Sequence, residues 1–485
     1  MKGFVMKFSK VHPYTIAEYL SRFALIVILP LLQQIIFLLF QPYNIFDWLS
    51  LFGFNLLFTL IVIFWCFLEY RCIGYHVDDR SLSEQRGIIV KHIRTIPYKC
   101  IHSLTIKHTL FASLFGATKL NLDTPAGKKT KPDISFTLSK KELNKAVSTI
   151  FPEEHRKLIY HASPLRIILM SASWSNSVSG LLLAAPFINK IGSILGEEFS
   201  EKIYSTVDFS AQFIAVGVPP IAAGIAYALA AGWIIALLVQ FFRYARFTVS
   251  QSGENTIISR GLLLQSERII NLENINAISV KQTLLMRILG LFSAYINIIG
   301  LQKEKGDRSM LVAAASYSEL KKLVVDLIEI SLNLKREIIP PKKALKSFCW
   351  LPLSLFLINI LILIIFYTVN GIRQLFLFLS LFSAPFFLWW MLLRIQAYKT
   401  SGLSLSSNKL TIRGYYHLSL IASIIPFDKI QFLSIHQNPF QRRSGLCNVR
   451  VYIFSERKEY FTVKQLPYLL VENLVESMEN LMQFP

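Results

Sequence analysis

One stretch of this chain occurs almost twice over, and that repeat constrains the fold more than any other feature. Arg86 to Gly116 reads RGIIVKHIRTIPYKCIHSLTIKHTLFASLFG, and Arg260 to Gly290 reads RGLLLQSERIINLENINAISVKQTLLMRILG. Laid side by side without a gap, Arg86-Gly87 falls on Arg260-Gly261, Arg94 on Arg268 and Ile101 on Ile275. Lys107 likewise falls on Lys281, Thr109-Leu110 on Thr283-Leu284, and Gly116 on Gly290. A third copy follows Arg413-Gly414 after two extra residues, which puts Pro426 on Pro97, Ile430 on Ile101, Ile435 on Ile106 and Gly445 on Gly116. Self-similarity of this kind marks one supersecondary unit used repeatedly. A single folding solution therefore has to serve three times.

Within each copy the pattern is that of a sheet. Tyr244 to Val249 and Ile101 to Ile106 alternate apolar and polar residues, the period of half-buried strands. The Arg-Gly pair between such runs supplies a turn where positive φ is cheap. A short helical piece follows, FASLF or LMRIL, and stops at glycine, the favoured residue just past a helix. Alternation resumes at Lys119 to Leu122, Tyr295 to Ile298 and Asn448 to Ile453. Each unit then closes with an amphipathic helix, expected over Ser139–Ile150, Ser318–Leu332 and Val463–Met482. Ser139 and Glu142 have the spacing of a capping box. The pattern predicts a small β-barrel or sandwich plugged by a C-terminal helix.

The segments between the units are apolar. Of the 485 residues 53% are hydrophobic and 17% charged, where soluble domains carry about 25% charged. Six runs approach the ~20 apolar residues a membrane helix needs: Phe23 to Phe40, Trp48 to Leu68, Val178 to Leu195, Ile214 to Phe242, Phe348 to Val369 and Leu375 to Leu393. They pair into three hairpins. The first run is too long for a signal-peptide core and no A-x-A site follows it, so it reads as an uncleaved anchor.

Charge sets the orientation. Lys and Arg number 51 against 30 Asp and Glu, a net +21. The hairpin turns hold only Lys190, Lys202 and Arg373, while Lys2, Lys7, Lys10, Arg71, Arg243, Arg246, Arg394 and the Lys342-Lys343 pair with Lys346 flank the other ends. By the positive-inside rule both termini and all large segments are expected in the cytoplasm, beneath a cell membrane crossed several times. The expected division is a tail and hairpin over 1–68, a domain over 69–162, a hairpin over 163–242, a domain over 243–346, a hairpin over 347–394 and a domain over 395–485.

An Arg-Gly pair, then Pro97, Asn271 or Pro426, then Ile101, Ile275 or Ile430, then a closing glycine, all after an apolar hairpin, resembles the bacterial pleckstrin-homology-like family of the YdbT membrane proteins. The resemblance covers nearly the whole chain. It implies six transmembrane helices in three hairpins and three cytoplasmic PH-like domains, each with a C-terminal helix. It also implies a smaller single-domain relative, or a second copy, as partner. The matching positions Arg86, Gly87, Gly116, Arg260, Gly261, Gly290, Arg413, Gly414 and Gly445 are structural, so they carry fold and no chemistry. The third unit departs by its insertion and by Asn438-Pro439 where the others have Thr-Leu.

Candidate chemistry is sparse. Lys128, Lys129 and Lys131 lie in a loop with Gly and Pro. Each could add about 1 kcal/mol of attraction to an anionic leaflet, or the three could form an ordinary solvated loop. His76, His92, His102 and His108 fall close together in sequence, but no Asp or Glu stands at ligand spacing, and no metal is expected. Cys66, Cys72, Cys100, Cys349 and Cys447 show no C-x-x-C spacing, and read as small buried hydrophobes. There is no G-x-S-x-G, H-E-x-x-H or phosphate-loop motif, so no catalytic residue and no cofactor are expected. The aromatics lie mainly in the apolar runs, which disfavours nucleic acid as a partner.

Gln33, Gln34, Asn55 and Asn359 read as interhelical hydrogen-bonding groups. Gly224, Ala228 and Gly232, with Ser171, Ser175 and Ser179, form small-residue faces that let helix backbones approach closely. Ile191, Leu195, Phe199 and Ile203 recur every fourth residue, as in a surface-lying amphipathic helix. The sequence therefore predicts a non-enzymatic membrane scaffold whose cytoplasmic domains bind a partner protein or an anionic lipid surface. The alternative is a transport-related or envelope-defence component giving tolerance to antimicrobial peptides.

Overall fold

The longest helices form where the sequence is continuously apolar, and the strands lie between them. The structure is a computed structural model that describes residues 8–23, 26–27, 30, 45–125, 132–152, 155–174, 220–298, 309–328, 335–367, 373–406, 408–416, 419–454 and 460–483. The first unit comprises β1 (Ser9–Lys10), α1 (Tyr14–Arg22), α2 (Ile45–Arg71), β2 (Gly74–Val77), β3 (Ser81–Arg86), β4 (His92–Pro97), β5 (Ser103–His108), α3 (Leu110–Leu114), β6 (Ala117–Asp123), β7 (Ile134–Ser139) and α4 (Lys140–Ile150). Next come β8 (Lys157–His161), α5 (Pro164–Trp174), α6 (Pro220–Tyr244), β9 (Thr248–Ser252), β10 (Asn255–Arg260), β11 (Gln265–Asn271), β12 (Ile275–Thr283), α7 (Leu284–Ile288), β13 (Phe292–Ile298), β14 (Met310–Ala315) and α8 (Tyr317–Ile328). The third unit has α9 (Ala344–Tyr367), α10 (Arg373–Thr400), β15 (Gly402–Ser406), β16 (Lys409–Tyr416), β17 (Ser419–Pro426), β18 (Ile430–His436), α11 (Pro439–Ser444), β19 (Leu446–Ile453), β20 (Tyr460–Pro467) and α12 (Tyr468–Gln483).

Among the described residues two helices are long and apolar enough to cross a membrane: Phe52–Arg71 within α2, and α9. Their apolar side chains mostly point away from the protein, Phe54, Phe64, Leu357 and Ile364 among them, as suits a lipid surround. Helices α6 and α10 stand where the fourth and sixth apolar runs were expected. Val178 to Leu195 and nearly all of Phe23 to Phe40 lie outside the described residues. Between α9 and α10, Asn359 donates to Ser383 Oγ at 2.8 Å and accepts from Ser380 Oγ at 2.6 Å, the interhelical role expected of it.

The sheets do not respect the repeat. Their strand orders are β1-β2-β3-β4, β7-β6-β5-β11-β10-β9-β8, β14-β13-β12-β17-β16-β15 and β18-β19-β20. The second sheet of each unit is thus continuous with the first sheet of the next. At the first seam Thr105 faces Arg268 and Leu104 faces Ile269. At the second, Ser279 faces Ser423 and Ile278 faces Ile424. The repeat alignment carries Thr105 onto Ser279 and Arg268 onto position 423, so both seams have one register. Side chains bond across at the same point each time, Arg268 Nε to Thr105 Oγ1 at 3.2 Å and Ser279 Oγ with Ser423 Oγ at 2.8 Å.

Cores continue across the seams as well. Ile257 and Ile269 of the second unit pack in the first unit's core with Leu104 and Leu120. Ala422 and Ile424 of the third pack in the second's core with Ile278 and Val280. Moreover, the segment ahead of a hairpin joins the sheet behind it. Lys157–His161, placed by the sequence division in the first domain, pairs with β9, and Ile338 bridges to Leu403. Tyr160 fixes β8 by donating from its hydroxyl to Ala314 O at 2.6 Å, and burial pushes its phenol up to about 12.

Geometry requires glycine at the Arg-Gly positions, for two different reasons. Gly261 has φ +98°, and a Cβ there would lie 2.0 Å from Leu264 O, so the Arg-Gly turn forms as expected in the second unit. Gly414 differs. It sits inside β16 opposite Ile421, because the two inserted residues lengthen the hairpin beyond it. Its side is instead covered by β20, where a Cβ would lie 2.4 Å from Thr462 O.

The closing helix α4 carries the full capping box of Ser139 and Glu142. The last helix begins later than Val463, at Tyr468. Val463 and Leu466 are fully buried in β20, which pairs with β19. Burial against a neighbouring strand overrides helical periodicity there.

Candidate functional site

The turn after β10 is strapped to the end of α6: Gly261 N donates to Ala245 O at 2.8 Å and Leu262 N to Phe242 O at 3.0 Å. Leu263 and Leu264 project from this turn, Leu264 being 63% exposed. The same repeat positions in the first unit are Ile89 and Val90, with Ile89 89% exposed. A short helix follows β5, β12 and β18. Thr109 Oγ1 accepts from Ala112 N at 3.3 Å, Thr283 Oγ1 from Met286 N at 3.2 Å, and Asn438 Oδ1 from Gln441 N at 2.7 Å. Asn438 therefore does the N-capping work of the threonines it replaces. These helices present Phe111, Leu114 and Phe115, then Ile288, then Phe440 outward. Leu284 clusters with Phe348, Leu393 and Ala397 at the base of α9 and α10. The second unit's turn with α7, and α11 beside the start of α9, thus make an apolar rim on the side from which the apolar helices leave.

Cations and aromatic rings ring the same level. Arg394 lies over the Tyr415 ring at 4.4 Å and Lys281 over Trp174 at 5.1 Å. Lys343 Nζ donates to Ser444 O, while Arg442 and Arg443 are exposed in the last turn of α11. An apolar rim edged with cations suits the boundary between acyl chains and anionic headgroups. A small half-open cleft at the second seam is lined by Gln282, Arg287, Thr400, Arg413, Gly414 and Leu420, among others. Burial lowers the Arg413 pKa, and the nearby cations Arg336 and Arg287 lower it further.

The repeated arginines have diverged in role. Arg86 pairs with Glu84 at 2.9 Å. Burial raises the Glu84 carboxyl, with Arg86 and then Arg94 pulling the other way. Arg260 lies over the Tyr244 ring at 5.3 Å. The recurring glycines Gly87, Gly116, Gly290 and Gly445 all have positive φ.

Lys128, Lys129 and Lys131 lie outside the described residues. Their flanks are joined, Thr124 N donating to Asp133 Oδ2 at 2.7 Å, at the end of β6 and β7 away from α3. Gly224, Ala228 and Gly232 are in α6, where Gly232 and the next residue of that face, Ala236, are buried; Ser171 is buried in α5. Helix α6 contacts both α5 and α10. Ser175, Ser179 and the Ile191-to-Ile203 segment are outside the described residues. Among the described residues no three His, Cys, Asp or Glu side chains gather as a metal site. The seams went unforeseen, although β12 (INAISVKQT) has buried residues on both faces, which an edge strand would not.

A unit of one three- or four-stranded sheet, one three-stranded sheet and a closing helix has the make-up of a PH-like domain, here used three times beside membrane helices. The Bacterial PH domain family model matches residues 24–151, 209–327 and 348–482, and the chain belongs to that family. It is 21% identical over 435 residues to the UPF0699 transmembrane protein YdbT of Bacillus subtilis (strain 168), covering 82% of this chain and 83% of that protein. No solved structure matches the chain.

Proposed function

We propose that this protein is a non-enzymatic scaffold of the cytoplasmic membrane, crossing it six times in three hairpins with both termini in the cytoplasm. Its PH-like units bind an anionic lipid surface or a partner protein held at that surface. The observation that most supports this reading is the continuous run of three units joined sheet to sheet, with an apolar, cation-edged rim on the membrane side. Hinged single domains would suit capture of separate ligands; a fused row suits holding one surface or one extended partner.

The lipid arm has a direct test. The full chain in nanodiscs mixing anionic and zwitterionic lipid should retain anionic lipid through detergent exchange, read by native mass spectrometry. Two charge reversals, Arg442→Glu with Arg443→Glu, should cut that retention at least tenfold, since each cation near the surface contributes about 1 kcal/mol. Equal retention by the variant assigns the rim to protein binding instead. Robust hydrolase or transferase turnover, abolished by one point change, would overturn the scaffold reading itself.

A further inference from the structure

The two seams are copies of one contact, and the chain carries both halves of a third. At each seam, the first strand of a unit's second sheet pairs with the last strand of the following unit's first sheet: β5 with β11, then β12 with β17. Two strands of these types remain at the ends of their sheets among the described residues. They are β18, at one end of β18-β19-β20, and β4, at one end of β1-β2-β3-β4. We propose that β18 of one copy of this protein pairs with β4 of a second copy, joining chains head to tail through a third seam of the same register.

The repeat alignment fixes the register. Carrying both seams onto the end units sets Leu433 opposite Thr95, Ser434 opposite Arg94 and Ile435 opposite Ile93. This is the pairing that puts Thr105 opposite Arg268 within the chain. Arg94 corresponds to Arg268 and Ser434 to Thr105, so the hydroxyl–guanidinium pair of the first seam recurs. Arg94 donates through Nη1 to Asp133 O at 3.0 Å, and a guanidinium has further N–H groups to donate.

Exposure agrees. Ala422, filling the seam position of β17, is 8% exposed, whereas its repeat equivalent on β4, Ile93, is 59% exposed. Phe432 on β18 is 50% exposed. A third seam would place Ile93 against Ile435, at the edge of the third unit's core, as Ala422 lies against Val280 in the second's. Exposed apolar edge strands invite strand addition. The second copy is the matching occupant because each chain displays both complementary edges. Such a heterologous contact closes into a ring or extends as a row.

The test is cross-linking in intact membranes, in a Cys100→Ser background. One tagged chain carries Thr95→Cys and a differently tagged chain carries Leu433→Cys. Opposed antiparallel residues have Cα atoms ~4.5–5.5 Å apart, within disulfide reach. The expected result is a disulfide joining the two tags, at least tenfold above the yield of Thr95→Cys with Ser434→Cys, whose side chains would point to opposite faces. Adding Ile93→Asp, at a position exposed enough to spare the fold, should abolish it. No cross-tag disulfide, or capture of a different, smaller protein in place of the second copy, would overturn the proposal.

Discussion

Aspartate at Ala422 will cost this protein a few kcal/mol, while aspartate at the equivalent repeat position of the first unit, Ile93, will leave its fold intact. The two positions share one place in the repeat and one strand type. They differ in their surroundings. Ala422 is buried between β16 and β12, in register with Arg413 on one side and Val280 on the other. Arg413 can pair with a carboxylate there, but the charge is still buried against Val280 and Ile424, and its desolvation outweighs that pairing by on the order of 2–3 kcal/mol. Ile93 lies on the outer strand with most of its side chain in solvent, where substitutions usually stay within about 0.5 kcal/mol. Limited proteolysis of both variants in detergent, scored by fragments cut within 403–454, checks the contrast. Ala422→Asp should expose the third unit to cleavage at temperatures where Ile93→Asp behaves as wild type.

Valine at Gly414 is the second large effect expected. The nearest atom to its new Cβ would be a backbone oxygen, Thr462 O at 2.4 Å, and no rotamer change can relieve that. Overpacking costs about 1–3 kcal/mol where side chains can yield, and more where they cannot. Gly414→Val should therefore separate β16 from β20 and destabilise the third unit by about 3 kcal/mol. Valine at Thr411, three residues earlier in β16, keeps a β-branched side chain and supplies a control for β propensity. Faster hydrogen exchange at Tyr460 to Pro467 in Gly414→Val, and slow exchange there in Thr411→Val, is the expected outcome.

Much of each unit is legible in its sequence. The alternating runs, the capped closing helix at Ser139 and the positive-φ glycines follow from local rules, and local chemistry decides them in the fold too. Gly414 shows where local reading stops: it matches Gly87 and Gly261 in sequence, but the two-residue insertion moves the turn, and contact with β20 requires the glycine. The late start of the last helix has the same origin, since Val463 obeys a neighbouring strand 14 residues away in sequence, at Val449. The apolar rim was hidden for another reason. Ile89, Val90, Leu263 and Leu264 look like strand or core residues in the sequence, and only their exposure in the fold shows them facing outward. The seams were least legible, because pairing between repeats leaves no mark in the repeat itself except strands buried on both faces.

The three units are welded edge to edge into one body. Amide-resolved hydrogen exchange on the full chain, in detergent dilute enough to keep it monomeric, tests it most directly. A strand paired on both sides protects every amide, whereas an edge strand leaves alternate amides to solvent. Slow exchange is expected at every amide from Ser103 to Lys107 and from Ile278 to Lys281, with alternate fast amides in His92–Ile96 and Ile430–His436. Alternating fast exchange through Ser103–Lys107 and Ile278–Lys281 would mean instead that the units are separate domains.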